Sequence, residues 1–426
     1  MNTQTLNNQK DGNLIRDSKF LIWIGFILYV LITGGKNIYT AEIVTLIDVF
    51  NATKAEITLA STYYFVTYAI AQVVMVFIIS KLNLRYFVPI SAILTAIAII
   101  LIGSSTSLNA IYVISGLNGI FTVGIYVGIM AILSKSVPAS LLPYSNKIMS
   151  IGGSLYNVLA YGLPALFVDF GLWRVPFLIA GGLSLIFGVL FFIALTKMKK
   201  YNVEKVAVVE KKDNPVFILK NKKIVVLYYI LFMVLAIFSN ATYYCIFIYF
   251  PNLLKEVFNM PDSYSILITL IVPLFCSVSA VVSISICSKR KNLFSVGAVF
   301  GVLALVFITL LAFLYDINII LTLVLAVVGL ALRNGTHATI GSVLAFNMRN
   351  QVNTGSYLAG INAIASLCAG IIPPLLGNLM DSFSGTKGFG ACYFIAIITL
   401  AITVIFLFVL AFFLNKNQKL NALSDK

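Results

Sequence analysis

Two cations stand inside apolar runs of this sequence, Lys36 in the first run and Arg333 in the tenth. A charge at the centre of a bilayer costs roughly 2.5–3.5 kcal/mol on insertion scales, so such groups face a bundle interior or a water-filled cavity. The pair describes a positively charged pocket inside a membrane protein, fitted to an anion. Tyr39 and Thr40 follow Lys36 at i+3 and i+4 on its own helical face, with Asn37 beside it. Arg333 carries a planar fork that matches a carboxylate or phosphate through two parallel bonds. His337, the only histidine, shares the Arg333 face at i+4, and its titration range suits proton coupling. Glu42 lies six residues beyond Lys36, about 120° around a regular helix, so the two do not easily pair. It reads as a gating residue near the far end of the first run.

Other polar side chains recur in the apolar runs: Tyr64 in the second, Asn157 in the fifth and Tyr243 in the seventh. Tyrosine hydroxyls and amides orient small polar ligands, although tyrosine also serves as helix glue and interfacial anchor. Lys36, Arg333, Asn37, Tyr39, Tyr243, Asn157 and Tyr64 form the expected substrate-binding set. No nucleophile–base set, metal-ligand cluster or nucleotide loop appears, so the reading excludes an enzyme and expects neither cofactor nor metal. The five cysteines fall in or beside apolar runs without C-x-x-C spacing and read as small buried residues.

The elements that must hold these residues follow from composition. The 426 residues are 60% hydrophobic and only 10% charged, a balance no soluble domain carries. Apolar runs near 20–46, 57–80, 86–104, 109–134, 144–168, 174–196, 223–250, 263–287, 292–314, 318–346, 353–380 and 388–414 are each long enough to cross about 30 Å of hydrocarbon. With the N-terminus in the cytoplasm, 23 Lys and Arg fall on the inner side and 4 on the outer, which obeys the positive-inside rule. The formal charge of +15 therefore reflects topology, and no nucleic-acid partner is expected. The expected organisation is a cytoplasmic tail over 1–19, a six-helix half over 20–196, a basic cytoplasmic linker over 197–222, a second half over 223–414 and a cytoplasmic tail over 415–426. The first run has no cleavage site behind it and reads as a retained span.

The halves echo each other. Asn157, Pro164 and Asp169 in span 5 correspond to Asn362, Pro373-Pro374 and Asp381 in span 11. Leu172-Trp173-Arg174-Val175-Pro176-Phe177 resembles the W-R-x-x-F element of the major facilitator superfamily, and Gly355 to Asn362 resembles its glycine-rich opening of span 11. Within it, Gly35-Lys36-Asn37 resembles the R-K-N of the organophosphate–phosphate antiporter and sugar-phosphate-permease-like group, and Pro251 to Val257 its P-T-Y-L-K-E-V. The resemblance implies that Tyr243 stands where the group has a phosphate-binding Arg, and that Gly35 replaces its other Arg. The loop after span 2 keeps Arg85 of the family's latch but has Lys81 near the acidic position, so Arg85 is a gating candidate in an altered latch. The proton-linked Arg of span 4 is missing; Ser115 precedes Asn118-Gly119 there.

The expected fold is all-α, with twelve transmembrane helices in two pseudo-symmetric halves. The expected activity is secondary transport of a small organic anion by alternating access, coupled to protons or a counter-anion. His337, Glu42 and Arg85 are the coupling or gating candidates. A drug or amphipath exporter of the same fold and a non-transporting membrane sensor are the alternatives. The partners are the substrate and the lipid bilayer, the state a monomer, and the setting the cytoplasmic membrane of a bacterium.

Overall fold

Lipid offers no hydrogen bonds, so a segment that crosses it must bond every backbone N–H and C=O internally. The runs of Leu, Ile, Val and Phe meet this constraint as helices. The computed structural model describes residues 3–78, 81–198, 222–287, 293–347, 354–383 and 385–424. Nearly all of the linker read at 197–222, and the loops at 288–292 and 348–353, lie outside the described residues.

Among the described residues, twelve helices are long and apolar enough to span a membrane. Spans 1 to 6 run Asn13–Ala41, Lys54–Met75, Leu84–Ser104, Leu108–Ser136, Lys147–Phe170 and Val175–Met198. Spans 7 to 12 run Ile230–Phe258, Asp262–Ile286, Phe294–Leu314, Ile319–Thr339, Ala363–Asp381 and Lys387–Phe412. Each matches one expected run. The first differs most in its ends. Its helix begins at Thr3, because the polar tail contains no proline and its Asn, Gln and Lys do not stop a helix. The helix ends at Ala41, breaks at Glu42 and resumes over Ile43–Phe50.

The breaks have local causes. Gly124, at φ +80°, separates Leu108–Thr122 from Ile125–Ser136 within span 4. In span 5, Pro164 cannot donate to the ladder, and the preceding Val158–Gly162 widens into a π turn directly after Asn157. Pro251 similarly opens a new helical segment, Phe250–Phe258, at the end of span 7.

The halves repeat one packing scheme. Span 3 packs on span 6 and span 2 on span 4; correspondingly, span 9 packs on span 12 and span 8 on span 10. Between halves, span 2 packs along span 11, and span 5 meets span 8. The crossings rely on small residues. A Cβ at Gly34 in span 1 would lie 2.7 Å from Leu159 Cδ2 and 3.0 Å from the Tyr156 carbonyl of span 5. The carbonyl belongs to the helix backbone and cannot give way as a side chain can. At Gly182 a Cβ meets nothing within 4 Å. Gly34→Ala should therefore destabilise the protein by about 1–3 kcal/mol through overpacking. Gly182→Ala should leave it as stable or more so, since alanine favours a helix interior by up to about 1 kcal/mol. Thermal unfolding of the two variants side by side checks the contrast.

Candidate functional site

One chamber opens within the N-terminal half, among spans 1, 2, 3 and 4, and a second adjoins it between the halves, among spans 1, 2, 5, 7 and 11. Asn37, Thr40, Ser61 and Phe65 line both, so they form one cavity. The first chamber is narrow and holds Lys36, Tyr39, Tyr64 and Asn118. The second is roomier and holds Asn157 and a group of tyrosines: Tyr156, Tyr161, Tyr243 and Tyr244. Of the expected substrate-binding set, six residues (Lys36, Asn37, Tyr39, Tyr64, Asn157 and Tyr243) thus meet at one cavity.

Helical spacing brings them there. Ser61, Tyr64, Phe65 and Tyr68 fall at i, i+3, i+4 and i+7 on one face of span 2. Tyr39 is fixed by its hydroxyl, which donates to the Ile57 carbonyl of span 2 at 2.8 Å. The Asn37 amide donates to the Thr33 carbonyl one turn back at 2.9 Å. Asn157 sits at the mouth of the π turn, which aims span 5 side chains across the interface. Asn118, buried in span 4, accepts from the Thr122 hydroxyl at 3.2 Å.

Lys36 is half-buried, and its ammonium stands 5.3 Å from the ring centre of Tyr64 and 5.6 Å from that of Tyr68. The two rings stack with centroids 5.9 Å apart. Among the described residues no carboxylate pairs with Lys36, and it is the one charged group lining the cavity. Cation–π contacts contribute about 0.5–2 kcal/mol, less than full removal of an ammonium from water costs. The cavity therefore carries an uncompensated positive potential.

Arg333 has a different setting. It is 2% exposed and lines neither chamber. Its Nε donates to the Ser239 carbonyl of span 7 at 2.8 Å, its Nη2 bonds the same carbonyl, and Nη2 lies 3.5 Å from Asn240 Oδ1. The guanidinium then covers the Tyr243 ring at 5.4 Å. Arg333 stands behind Tyr243 and ties span 10 to span 7. His337, one turn further, lies outside both chambers, and its Nδ1 has no hydrogen-bond partner among the described residues. Arg85 is exposed in the first turn of span 3, where Asn83 caps the helix by accepting from the Arg85 N–H at 3.3 Å. Ser80, the start of the expected latch loop, lies outside the described residues. Tyr63, a neighbour of Tyr64, faces outward and stacks on Tyr112 at 5.4 Å.

The inter-half bonds gather at the end opposite the termini. Lys255 Nζ bridges Asp48 at 2.7 Å and Asp262 at 3.0 Å, and Lys54 pairs with Glu256 at 3.0 Å. The Tyr249 and Thr58 hydroxyls bond at 3.2 Å, and Thr62 donates to the Gly370 carbonyl at 2.6 Å. The Ser263 hydroxyl meets Asp169. Ser61, Phe65 and this latch were not singled out from the sequence. The period-four polar and aromatic pattern of span 2 was the available signal for the first two.

The family model of the Major Facilitator Superfamily matches residues 25–361. The chain belongs to the Major Facilitator Superfamily. Its resemblance in span count and in the Trp173-Arg174 element is thereby confirmed at the level of the superfamily. Trp173 performs a packing role here, buried against Phe50 and Phe177 with the Arg174 guanidinium 4.5 Å above its ring. The chain is 28% identical over 169 residues to the membrane sensor protein UhpC of Salmonella typhimurium, a match that covers 38% of this chain and 36% of that protein. Among solved structures, a bacterial homologue of the human lysosomal transporter Spinster, inward-facing and occupied, superposes with a TM-score of 0.70 at 14% identity, covering 93% of this chain and 95% of that one. The nucleoside transporter NupG gives 0.65 at 15% identity, covering 92% and 98%. These two establish the major facilitator fold, an integral multi-pass membrane architecture.

The Arg333 tether generates a test. Arg333→Leu removes the donors on the Ser239 carbonyl and the support behind Tyr243, and should lower stability by about 1–3 kcal/mol. Arg333→Lys should recover only part of it, since an ammonium lacks the planar fork. Thermal unfolding in detergent measures both; equal stability of all three proteins would contradict the tether.

Proposed function

We propose that this superfamily member carries a small organic anion, bearing a carboxylate or phosphate, across a membrane by alternating access. The carrying observation is Lys36: a cation lining a chamber of the N-terminal half that adjoins the inter-half chamber, supported by two tyrosine faces and, among the described residues, without a carboxylate partner. An anion entering the cavity supplies the missing charge. Asn37, Tyr39, Tyr64, Asn157 and Tyr243 offer the polar contacts that orient it. Arg333 adds positive potential from behind Tyr243 and serves in this state to position that ring. The coupling gradient is protons or a counter-anion, with His337, Glu42 and Arg85 as the coupling or gating residues. The 23-to-4 division of Lys and Arg supports cytoplasmic termini and linker. We assign the protein, as a monomer, to a bacterial cytoplasmic membrane.

A second reading has its own support: the relative UhpC is named a membrane sensor. A sensor binds its anion without moving it. An exporter of drugs or amphipaths would show a cavity without need of the Lys36 charge.

The test is thermal stabilisation of the purified protein by a panel of carboxylates, phosphate esters, cations and neutral solutes. A compound that binds the native state raises its apparent stability by mass action. Carboxylates or phosphate esters should stabilise the wild type, and Lys36→Gln should weaken the effect at least about tenfold, the equivalent of about 1.4 kcal/mol. Stabilisation by lipophilic cations, unchanged in Lys36→Gln, would overturn the anion reading. Counterflow of the stabilising anion in proteoliposomes then separates transporter from sensor.

A further inference from the structure

The most unusual group in the molecule is Glu42. It sits in the break between helix Thr3–Ala41 and helix Ile43–Phe50, and it is 0% exposed. Neither carboxyl oxygen has a hydrogen-bond partner among the described residues, and no cation there forms an ion pair with it. The side chain of Thr45, on its own helix, adjoins it. Asp262, the first residue of span 8, is the charged group that faces it across the interface, and that carboxylate repels a second one. The charges of the latch are already committed. Lys255 of span 7 holds Asp262 and Asp48, Lys54 of span 2 holds Glu256, and Asp169 of span 5 meets Ser263. An ionised carboxylate cannot persist dry, unpartnered and opposite another carboxylate. In this conformation Glu42 carries a proton.

The surroundings give that proton a use. The latch that joins the halves opposite the termini includes Asp262, the carboxylate opposite Glu42, which Lys255 holds together with Asp48 of the other half. Separating the halves there admits water to the carboxyl. The O–H bond then breaks, the proton passes to water, and the electron pair stays on the carboxylate. Closing the latch again requires the proton back.

We infer that Glu42 is a proton-binding site, loaded when the end opposite the termini is closed and unloaded when it opens, so that opening of the cavity is linked to the proton concentration on that face. The inference rests on the alternating-access reading above and supplies its coupling ion.

The test reads the carboxyl directly and needs no substrate. A Cβ built at Gly370 lies 3.4 Å from Thr62 Cα, so a Thr62→Cys, Gly370→Cys pair is close enough for a disulfide that locks the closed end. Infrared spectra of the full-length protein in liposomes, in a Cys368→Ala background, follow the C=O stretch of protonated carboxyls against pH. At neutral pH the wild type should show a band that Glu42→Gln lacks. In the locked protein this band should persist to a higher pH than after reduction of the disulfide, and reduction at that higher pH should release a proton that the Glu42→Gln form does not. If Glu42→Gln does not fold, Glu42→Asp replaces it, keeping the acid and shifting the band. Absence of a Glu42-dependent band at neutral pH would overturn the proposal. So would a band that titrates identically in locked and reduced protein, which marks a static buried acid. Failure of the anion reading shows separately, as absence of anion stabilisation in a protein whose Glu42 still titrates.

Discussion

A charge in a low-dielectric interior must be answered, by an opposite charge, by hydrogen bonds, by water or by a proton. The architecture of this protein is arranged around the different answers it gives. Arg333 is answered by a backbone carbonyl and a ring. Lys36 is answered by two rings and a cavity. The latch charges answer one another at the end opposite the termini. Glu42 is answered by none of these. The helices that carry these groups exist because lipid forces backbone bonds inward, and Glu42 and Asn157 stand where those helices break.

The breaks also explain the position of the cavity. A π turn before Pro164 lies at Asn157, and the Glu42 break lies one and a half turns beyond Lys36. Irregular backbone at membrane depth is tolerated only where protein or water covers it. The π turn meets span 8, so there the other half supplies the cover.

Much of this was legible in the sequence. The twelve runs, their pairing into halves and the inward placement of Lys36, Asn37, Asn157 and Tyr243 follow from apolar run length and from the cost of polar groups in lipid. Arg333 shows the limit of that logic. The sequence establishes that such a cation must face inward, yet inward includes both a cavity and the carbonyl of a neighbouring helix. Only the packing of span 10 on span 7 decides between them. Likewise Lys54, Asp48 and Lys255 read as loop charges because their partners are some 200 residues away in the chain. Periodicity carries no information on contacts between halves. Tyr63 and Tyr64 are chemically alike in sequence, and one step of 100° sends the first outward and the second into the site.

The latch has a further property. Asp48 and Glu256 keep a large share of their side-chain surface open to solvent, at 67% and 34%, while Lys255 and Lys54 reach them from partly covered positions. Ion pairs of this kind contribute about 0–1 kcal/mol each and weaken as dissolved salt screens them over about 8–10 Å. The ionic clasp between the halves is therefore soft by construction. Its strength is set by the composition of the medium on that face as much as by the protein, and brine would loosen it where dilute water holds it shut.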